Sequence, residues 1–469
     1  MVGWDTYFSY PAFLINKFMG GASMENNNSF TEGKILSPLI RFAMPVLVAI
    51  FLQTMYGAVD MLIVGQFGSP ADVSAVSTGS WIMQTITTVI VGLSMGTTIL
   101  LGQKIGGKRT DDAGNVIGSS MYLFTILGLI VTIIMQFLAA PFTYIMHAPT
   151  EAFSSVVSYV RICSAGSVFI VGYNVLGSIF RGMGDSKMPL ITVAIACVIN
   201  IVGDLILVGV FHMASAGAAI ATVIAQAVSV ILSLIIIRRR GLPFEFSKRN
   251  MKLNKSIIGK VIKIGLPIAF QDLLVTLSFL AITAIVNTLG VIPSAGVGVA
   301  EKICGFVLLV PSTYMQAMSA FVAQNMGAKK PVRAKKALFY GILTSLGVGV
   351  FLSYFSFFHG DILVGIFTNN SEVIIAAAEY LKAYAIDCLL VSFLFCFIGY
   401  FNGCEKTTFV MIQGIIGAFC VRIPVSYMMS KVIPISLFKI GLATPCSTII
   451  QITLCLVYFY IMNRERKKD

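Results

Sequence analysis

The sequence predicts an all-α polytopic membrane protein with twelve transmembrane helices, arranged as two six-helix bundles related by a pseudo-two-fold axis along the membrane normal. Composition, the length of the apolar runs and an internal repeat support this fold class. The 469 residues are 57% hydrophobic and 11% charged, with a mean hydropathy of +0.89. A water-soluble fold cannot bury that much apolar surface. Alternating β patterns are absent, and backbone amides in lipid must then pair within helices.

Twelve apolar runs reach the roughly 20 residues that a helix needs to cross the hydrocarbon core. A basic linker, 238–256, divides them into an N-lobe of six helices (34–237) and a C-lobe of six (257–462). Residues 1–33 are expected to be an extension, of which 1–23 can be a mis-called start before Met24, and 463–469 a basic tail. In chain order, the predicted helices span 36–66, 75–101, 114–140, 153–180, 188–210, 216–237, 257–288, 294–326, 335–358, 375–402, 406–430 and 438–462.

Basic residues predict the orientation of these helices. With a cytoplasmic N-terminus, 27 of the 33 Lys and Arg residues fall in loops, linker and tails on the cytoplasmic side, and two, Lys431 and Lys439, fall opposite. This asymmetry follows the positive-inside rule. It predicts a multi-pass protein of the cell's inner (plasma) membrane with both termini cytoplasmic, and the net charge of +13 requires no nucleic-acid partner.

The chain repeats itself at an offset of 221 to 224 residues. Gln103 and Gly106 in LLGQKIGGKR fall on Gln324 and Gly327 in FVAQNMGAKK, and FRGMGDSK falls on FNGCEK. Six helices are an even number, so both halves enter the bilayer in the same direction. Such parallel repeats are typical of transporters that have a cavity between their two halves.

Two motifs resemble enzyme signatures without the context that the chemistry needs. Gly182-Met183-Gly184-Asp185 spells the GxGD of intramembrane proteases, but the second repeat has Lys406 opposite Asp185. We interpret it as a glycine turn before a helix that starts near Pro189. GQKIGGKR near residue 102 lacks the hydroxyl residue of a phosphate loop. The chain is therefore predicted not to be an enzyme.

Acidic residues inside the predicted helices are the candidate functional groups, because a mid-membrane carboxylate costs roughly 2.5–3.5 kcal/mol. Asp60 shares a helical face with Tyr56 and Gln53, and Asp204 shares one with Asn200. Both acids belong to the outer half of the membrane in the first repeat. If they lie close together in a low dielectric they titrate as a coupled pair. The alternative is a buried, hydrogen-bonded acid that only stabilises the bundle.

Pro45 with Asp60, RGMGD, Asn200-Ile-Val-Gly-Asp204 and AQNMGA together resemble the MATE (multidrug and toxic compound extrusion) family, over about residues 34–462. The resemblance implies secondary active export driven by H⁺ or Na⁺. It also implies a helix-1 bend at Pro45 and an N-lobe ion-coupling site formed by Asp60, Tyr56, Asn200, Asp204 and Thr222. One family branch has a C-lobe glutamate where Val275 stands here. Gln271, Asp272 and Asp387 are therefore secondary candidates, which Lys302 or Lys382 could neutralise.

The predicted function is efflux of small amphipathic or cationic compounds by antiport with H⁺ or Na⁺, with alternating access between the two lobes. No cofactor beyond the coupling ion is expected, and no metal beyond Na⁺ at Asp60, Asn200 and Asp204. Membrane lipids are the other expected partners, and a monomer is expected. The alternative within transport is a flippase of a lipid-linked precursor. It would require a strongly cationic cavity, whereas the helices carry four cations: Arg161, Lys302, Lys382 and Arg422.

Overall fold

A computed structural model describes residues 30–242 and 250–465 of the chain. These residues form helices and no strand, which confirms the predicted all-α membrane fold. Eleven of their helices are long and apolar enough to cross a membrane, and one bent pair counted as a single span makes twelve. The spans are α1 (Leu36–Phe67), α2 (Pro70–Gly106), α3 (Thr110–Ile145), α4 (Thr150–Ala165 and Ser167–Met183), α5 (Lys187–Val210), α6 (Ala214–Arg239), α7 (Lys255–Asn287), α8 (Val291–Gly327), α9 (Pro331–Phe358), α10 (Ser371–Gly403), α11 (Thr407–Ser430) and α12 (Leu437–Arg464).

Local sequence explains where the helices begin and bend. α2 begins with a capping box, in which Ser69 accepts a hydrogen bond from the Asp72 amide and the Asp72 carboxylate accepts one from Ser69. α4 bends by 54° between its two halves. The bend lies at Gly166, where the side chain of Val223 leaves no room for a Cβ. α5 ends in a π-helical turn, Leu205–Val210, directly after Asp204.

The first helix of each half of the chain begins in the core of the other half. Leu39, Phe42 and Val46 of α1 are buried in a core formed with α8, α9, α10 and α12. At positions 222 residues later, Val261, Ile264 and Ile268 of α7 are buried in a core formed with α2, α3 and α4. Each first helix thus starts against the opposite lobe, so α1 and α7 connect the lobes physically.

The seam between the lobes is formed by the repeated Gln and Gly residues of α2 and α8. The backbone of Gly106 lies against the Gln324 carbonyl, and Gly327 lies against the Gln103 carbonyl. A Cβ at either glycine would overlap with the facing oxygen. Glycine is therefore required here for close helix approach. This contact joins α2 and α8 at the end of the molecule at which both helices end and α7 begins, the predicted cytoplasmic end.

Residues 30–34, which we call the N-terminal latch, cross from α1 onto the second half of the chain at this same end. Phe30 is buried and packs on the rings of Phe42 and Phe321. Asn325 and Lys330 donate to latch carbonyls. The Arg333 side chain donates four hydrogen bonds of 2.6–2.9 Å to the carbonyl oxygens of Phe30, Glu32, Gly33 and Lys34.

The lead-in to α7 makes the corresponding contact on the first half of the chain. Ser119 of α3 donates to the Lys252 carbonyl at 3.0 Å, and the Asn250 backbone lies against Gly118. Residues 1–29 of the predicted extension (1–33), residues 243–249 of the predicted linker (238–256) and residues 466–469 of the predicted tail (463–469) lie outside the described residues, and so does the whole of 1–23. The predicted lobe boundaries stay predictions.

Candidate functional site

Three helices of the first half bring polar side chains together inside the protein. α1 contributes Asp60, α5 contributes Asn200 and Asp204, and α6 contributes Thr222. Asp60 is 4% exposed, and Asn200 and Asp204 are fully buried. Buried acids are costly unless they are paired or protonated, so this cluster requires a proton, a cation or hydrogen-bond donors.

The Asp60 carboxyl group is the centre of this cluster. Thr222 donates a hydrogen bond of 3.3 Å from Oγ1 to Oδ2 of Asp60. Asn200 and Asp204 also approach the Asp60 carboxyl group, although neither makes a hydrogen bond of ordinary length and angle to it. The structure therefore brings together four of the residues that the family resemblance assigned to one site.

Several oxygens of the cluster have no donor. Within the described residues, no N–H or O–H group donates to either oxygen of Asp204, to Oδ1 of Asp60 or to Oδ1 of Asn200. Because Asp60 and Asp204 interact directly, a hydrogen bond between their carboxyl groups requires one proton. The alternative occupant is a hard cation, for which carboxylate and amide oxygens are suitable ligands.

Tyr56 joins the cluster and Gln53 does not. The Tyr56 hydroxyl is buried near Thr222 and Gln226. Gln226 is a polar neighbour that is not among the predicted site residues. Gln53 instead donates a 2.6 Å hydrogen bond to the Tyr173 hydroxyl. Gln53 and Asp60 share one face of α1, but they are two helical turns apart. A shared face was therefore not enough to predict that Gln53 contacts the cluster.

Gln53 lines a separate cavity of about 60 Å³ between the two halves of the chain. Tyr173 and Arg181 of α4 and Gln316 of α8 also line it. The predicted fourth helix ends at residue 180, which leaves Arg181 in the following loop. In the structure Arg181 lies in the last turn of α4 and donates to Ser178 at 2.9 Å. Gly184 was the sequence signal for this position of Arg181, because a helix that ends at Gly184 has Arg181 three residues before its end.

The secondary candidates in the second half have different neighbours among the described residues. Asp387 is buried near Thr448 and Arg422. Gln271 packs against Gly414, and no cluster of three or more metal-ligating side chains joins Asp272 to Asp387 within the described residues. The cation near Asp387 is Arg422, which donates to Ser278 at 3.0 Å, whereas Lys302 and Lys382 are exposed.

Pro45 lies inside α1, which runs unbroken from Leu36 to Phe67. The proline follows the part of α1 that packs on the opposite lobe and precedes Asp60 by 15 residues. Its absent N–H removes one helical hydrogen bond. A helix-1 bend at Pro45 remains a prediction.

The GxGD motif is a turn. α4 ends at Met183, and Gly184 adopts φ +86°, which favours glycine. Oδ1 of Asp185 accepts hydrogen bonds from the backbone amides of Lys187 and Met188 at 2.9 and 3.1 Å. Asp185 therefore caps the first turn of α5.

A comparison with protein-family models agrees with the two-fold repeat of the chain. The MatE family model matches residues 45–206 and again residues 267–428, two segments whose starts are 222 residues apart, as the repeat predicts. The chain belongs to the MatE family. Its members are transporters, and the prediction that the chain is not an enzyme is confirmed.

Relatives of this MatE chain cover nearly its whole length. It is 24% identical over 435 residues to the "Probable multidrug resistance protein YoeA" of Bacillus subtilis, covering 91% of this chain and 94% of the relative. It is 23% identical over 409 residues to the "Multidrug export protein MepA" of Staphylococcus saprophyticus, covering 86% and 88%. The solved structure "Outward-facing conformation of a multidrug resistance MATE family transporter of the MOP superfamily" superposes with a TM-score of 0.89 at 19% identity, covering 96% of this chain and all of that one. These comparisons do not favour the flippase alternative.

Proposed function

We propose that this MatE protein exports small amphipathic or cationic compounds by antiport with H⁺ or Na⁺. The relatives whose names describe multidrug resistance and export support the substrate class. The observation that carries the coupling role is the buried contact between Asp60 and Asp204 with unpaired oxygens around it. A carboxylate pair of this kind changes its interactions strongly when a cation enters or leaves.

The cluster can take either coupling ion. A proton held between the two carboxyl groups removes one charge and supplies the missing hydrogen bond. Na⁺ would instead be coordinated by oxygens of Asp60, Asn200 and Asp204, which satisfies acceptors that lack donors. In both cases the bound cation relieves the repulsion between α1 and α5, and its release restores that repulsion.

α1 connects the Asp60 cluster to the seam between the lobes. One end of α1 carries Asp60, and the other end, from Leu39 to Val46, is packed in the core of the second half. A shift of the Asp60 end is therefore transmitted along the continuous helix α1 to α8 and α9. Alternating access in transporters with paired lobes requires such a connection.

We also propose that the protein lies in the cell membrane as a monomer with both termini cytoplasmic, so that its closed seam faces the cytoplasm. The positive-inside distribution of Lys and Arg supports this orientation.

Efflux from proteoliposomes tests the coupling role. Asp60→Asn and Asp204→Asn each keep side-chain size and remove the titratable charge. We expect each variant to lose ethidium export under an imposed ion gradient by at least about tenfold. Asp111→Asn is the matched control, because Asp111 is exposed in the first turn of α3. Full export by both cluster variants would refute the coupling role.

The same vesicles distinguish the two ions. A pH gradient without Na⁺ and a Na⁺ gradient at constant pH are imposed in turn on wild-type protein. Export under the pH gradient alone assigns H⁺, and export under the Na⁺ gradient alone assigns Na⁺. Export under neither gradient would contradict ion antiport.

A further inference from the structure

A basic cavity lies at the predicted cytoplasmic end, between the N-terminal latch, the start of α1 and α9. Its volume is about 690 Å³. Lys34, Arg41 and Lys336 supply its positive charge, and Leu36, Ile40 and Tyr340 supply apolar walls. The two halves of the chain both contribute, since Lys336 and Tyr340 belong to α9.

Two of the three basic groups that line the cavity are lysines, one from each half of the chain. Lys34 and Lys336 are exposed and form no ion pair within the described residues. α1 starts beside them with no side-chain cap and no acidic residue in its first turn. The first amides of a helix are unsatisfied donors at its positive end. All of these features favour an anion that presents several oxygens.

The residues change from basic to apolar along both helices that flank the cavity. On α1, Ser37, Arg41 and Met44 are spaced as i, i+4 and i+7, so they lie on one face. On α9, Lys336, Tyr340 and Leu343 have the same spacing. Met44 and Leu343 are 53% and 56% exposed. A ligand that fits this arrangement has a charged head and an apolar tail.

We propose that this cavity binds the phosphate headgroup of an anionic phospholipid, with its acyl chains along the apolar ends of the α1 and α9 faces. Anionic lipids are recognised by basic pockets between transmembrane helices at the cytoplasmic surface. That location rests on the orientation proposed above. Because the latch and α9 come from opposite halves of the chain, the bound lipid bridges them and favours the state in which this seam is closed.

Native mass spectrometry of the purified full-length protein tests the site, with phosphatidylglycerol and phosphatidylcholine as the lipid probes. The cavity variant is Lys34→Gln with Lys336→Gln. Removing two basic groups near a membrane surface is expected to weaken phosphatidylglycerol binding about thirtyfold. Phosphatidylcholine, which has no net charge, is expected to bind more weakly than phosphatidylglycerol to wild type and equally to both proteins.

The matched control is Lys108→Gln with Lys329→Gln, two exposed lysines at the same end outside the cavity. Loss of phosphatidylglycerol binding in the cavity variant and not in the control supports the proposal. Equal binding by all three proteins, or an equal loss in both variants, overturns it. Glycerol 3-phosphate is added as a competitor, and its binding as tightly as the intact lipid would assign the cavity to a free anion and overturn the lipid proposal. These readouts do not depend on transport.

Discussion

Replacing Arg333 by Gln should release the N-terminal latch without disturbing the helices that it crosses. The guanidinium group of Arg333 donates four hydrogen bonds to latch carbonyls, one of them partly buried and three exposed. A net contribution of about 0.5–1.5 kcal/mol each, at the lower end for the exposed ones, amounts to about 2–3 kcal/mol. The local opening equilibrium should therefore shift about 30- to 150-fold towards the released latch.

Hydrogen exchange with mass spectrometry measures this opening directly, on peptides that cover residues 30–36 of the purified protein. Exchange of these amides should accelerate by the same factor as the opening equilibrium, while peptides from the core of α10 should not change. Lys330→Gln is the graded control, because it removes one hydrogen bond, that to the Thr31 carbonyl. Equal exchange at residues 30–36 in wild type and Arg333→Gln would show that these hydrogen bonds do not hold the latch.

Three further perturbations have expected outcomes. Thr222→Val removes the hydroxyl that donates to Asp60 and should reduce ion-driven efflux severalfold while thermal stability changes by about 1 kcal/mol or less. Gly327→Ala places a Cβ against the Gln103 carbonyl, so we expect the closed seam to lose about 1–3 kcal/mol and melting in detergent to occur at lower temperature. Asp185→Ala removes the cap of α5 and should cost about 0.5–2 kcal/mol without abolishing efflux.

Each of these outcomes has a counterpart that would contradict it. Unchanged efflux in Thr222→Val would show that its hydroxyl has no part in ion binding. An unchanged melting temperature in Gly327→Ala would mean that the seam adjusts freely, and Gly347→Ala, at a glycine with open space around it, is the control. Loss of all efflux in a folded Asp185→Ala protein would contradict its role as a helix cap.

Much of the candidate site was predictable because helical spacing limits which side chains can meet. Asn200 and Asp204 are four residues apart, so any helix over this segment puts both on one face. The cost of a mid-membrane carboxylate identified Asp60 and Asp204 as candidates, and the family resemblance implied that they share one site. Their direct interaction is seen only in the structure. Gln226 and Arg181 were missed for a different reason. Their positions depend on helix ends and on how neighbouring helices rotate, which spacing within one helix does not determine.

The sequence by itself determined the twelve helices and their two-fold repetition. It also identified the acidic residues inside the helices, whose cost in a membrane indicates a functional role. The length of an apolar run, the offset of a repeat and the cost of a buried charge depend on the residues in one segment of the chain. They can therefore be found without knowing which helices pack together. The tertiary structure alone decided that α1 and α7 each begin inside the opposite half, that Arg333 holds the latch and that Lys34 and Lys336 share a cavity. Lys34 and Lys336 are about 300 residues apart in sequence, and only the packing of α1 against α9 brings them together.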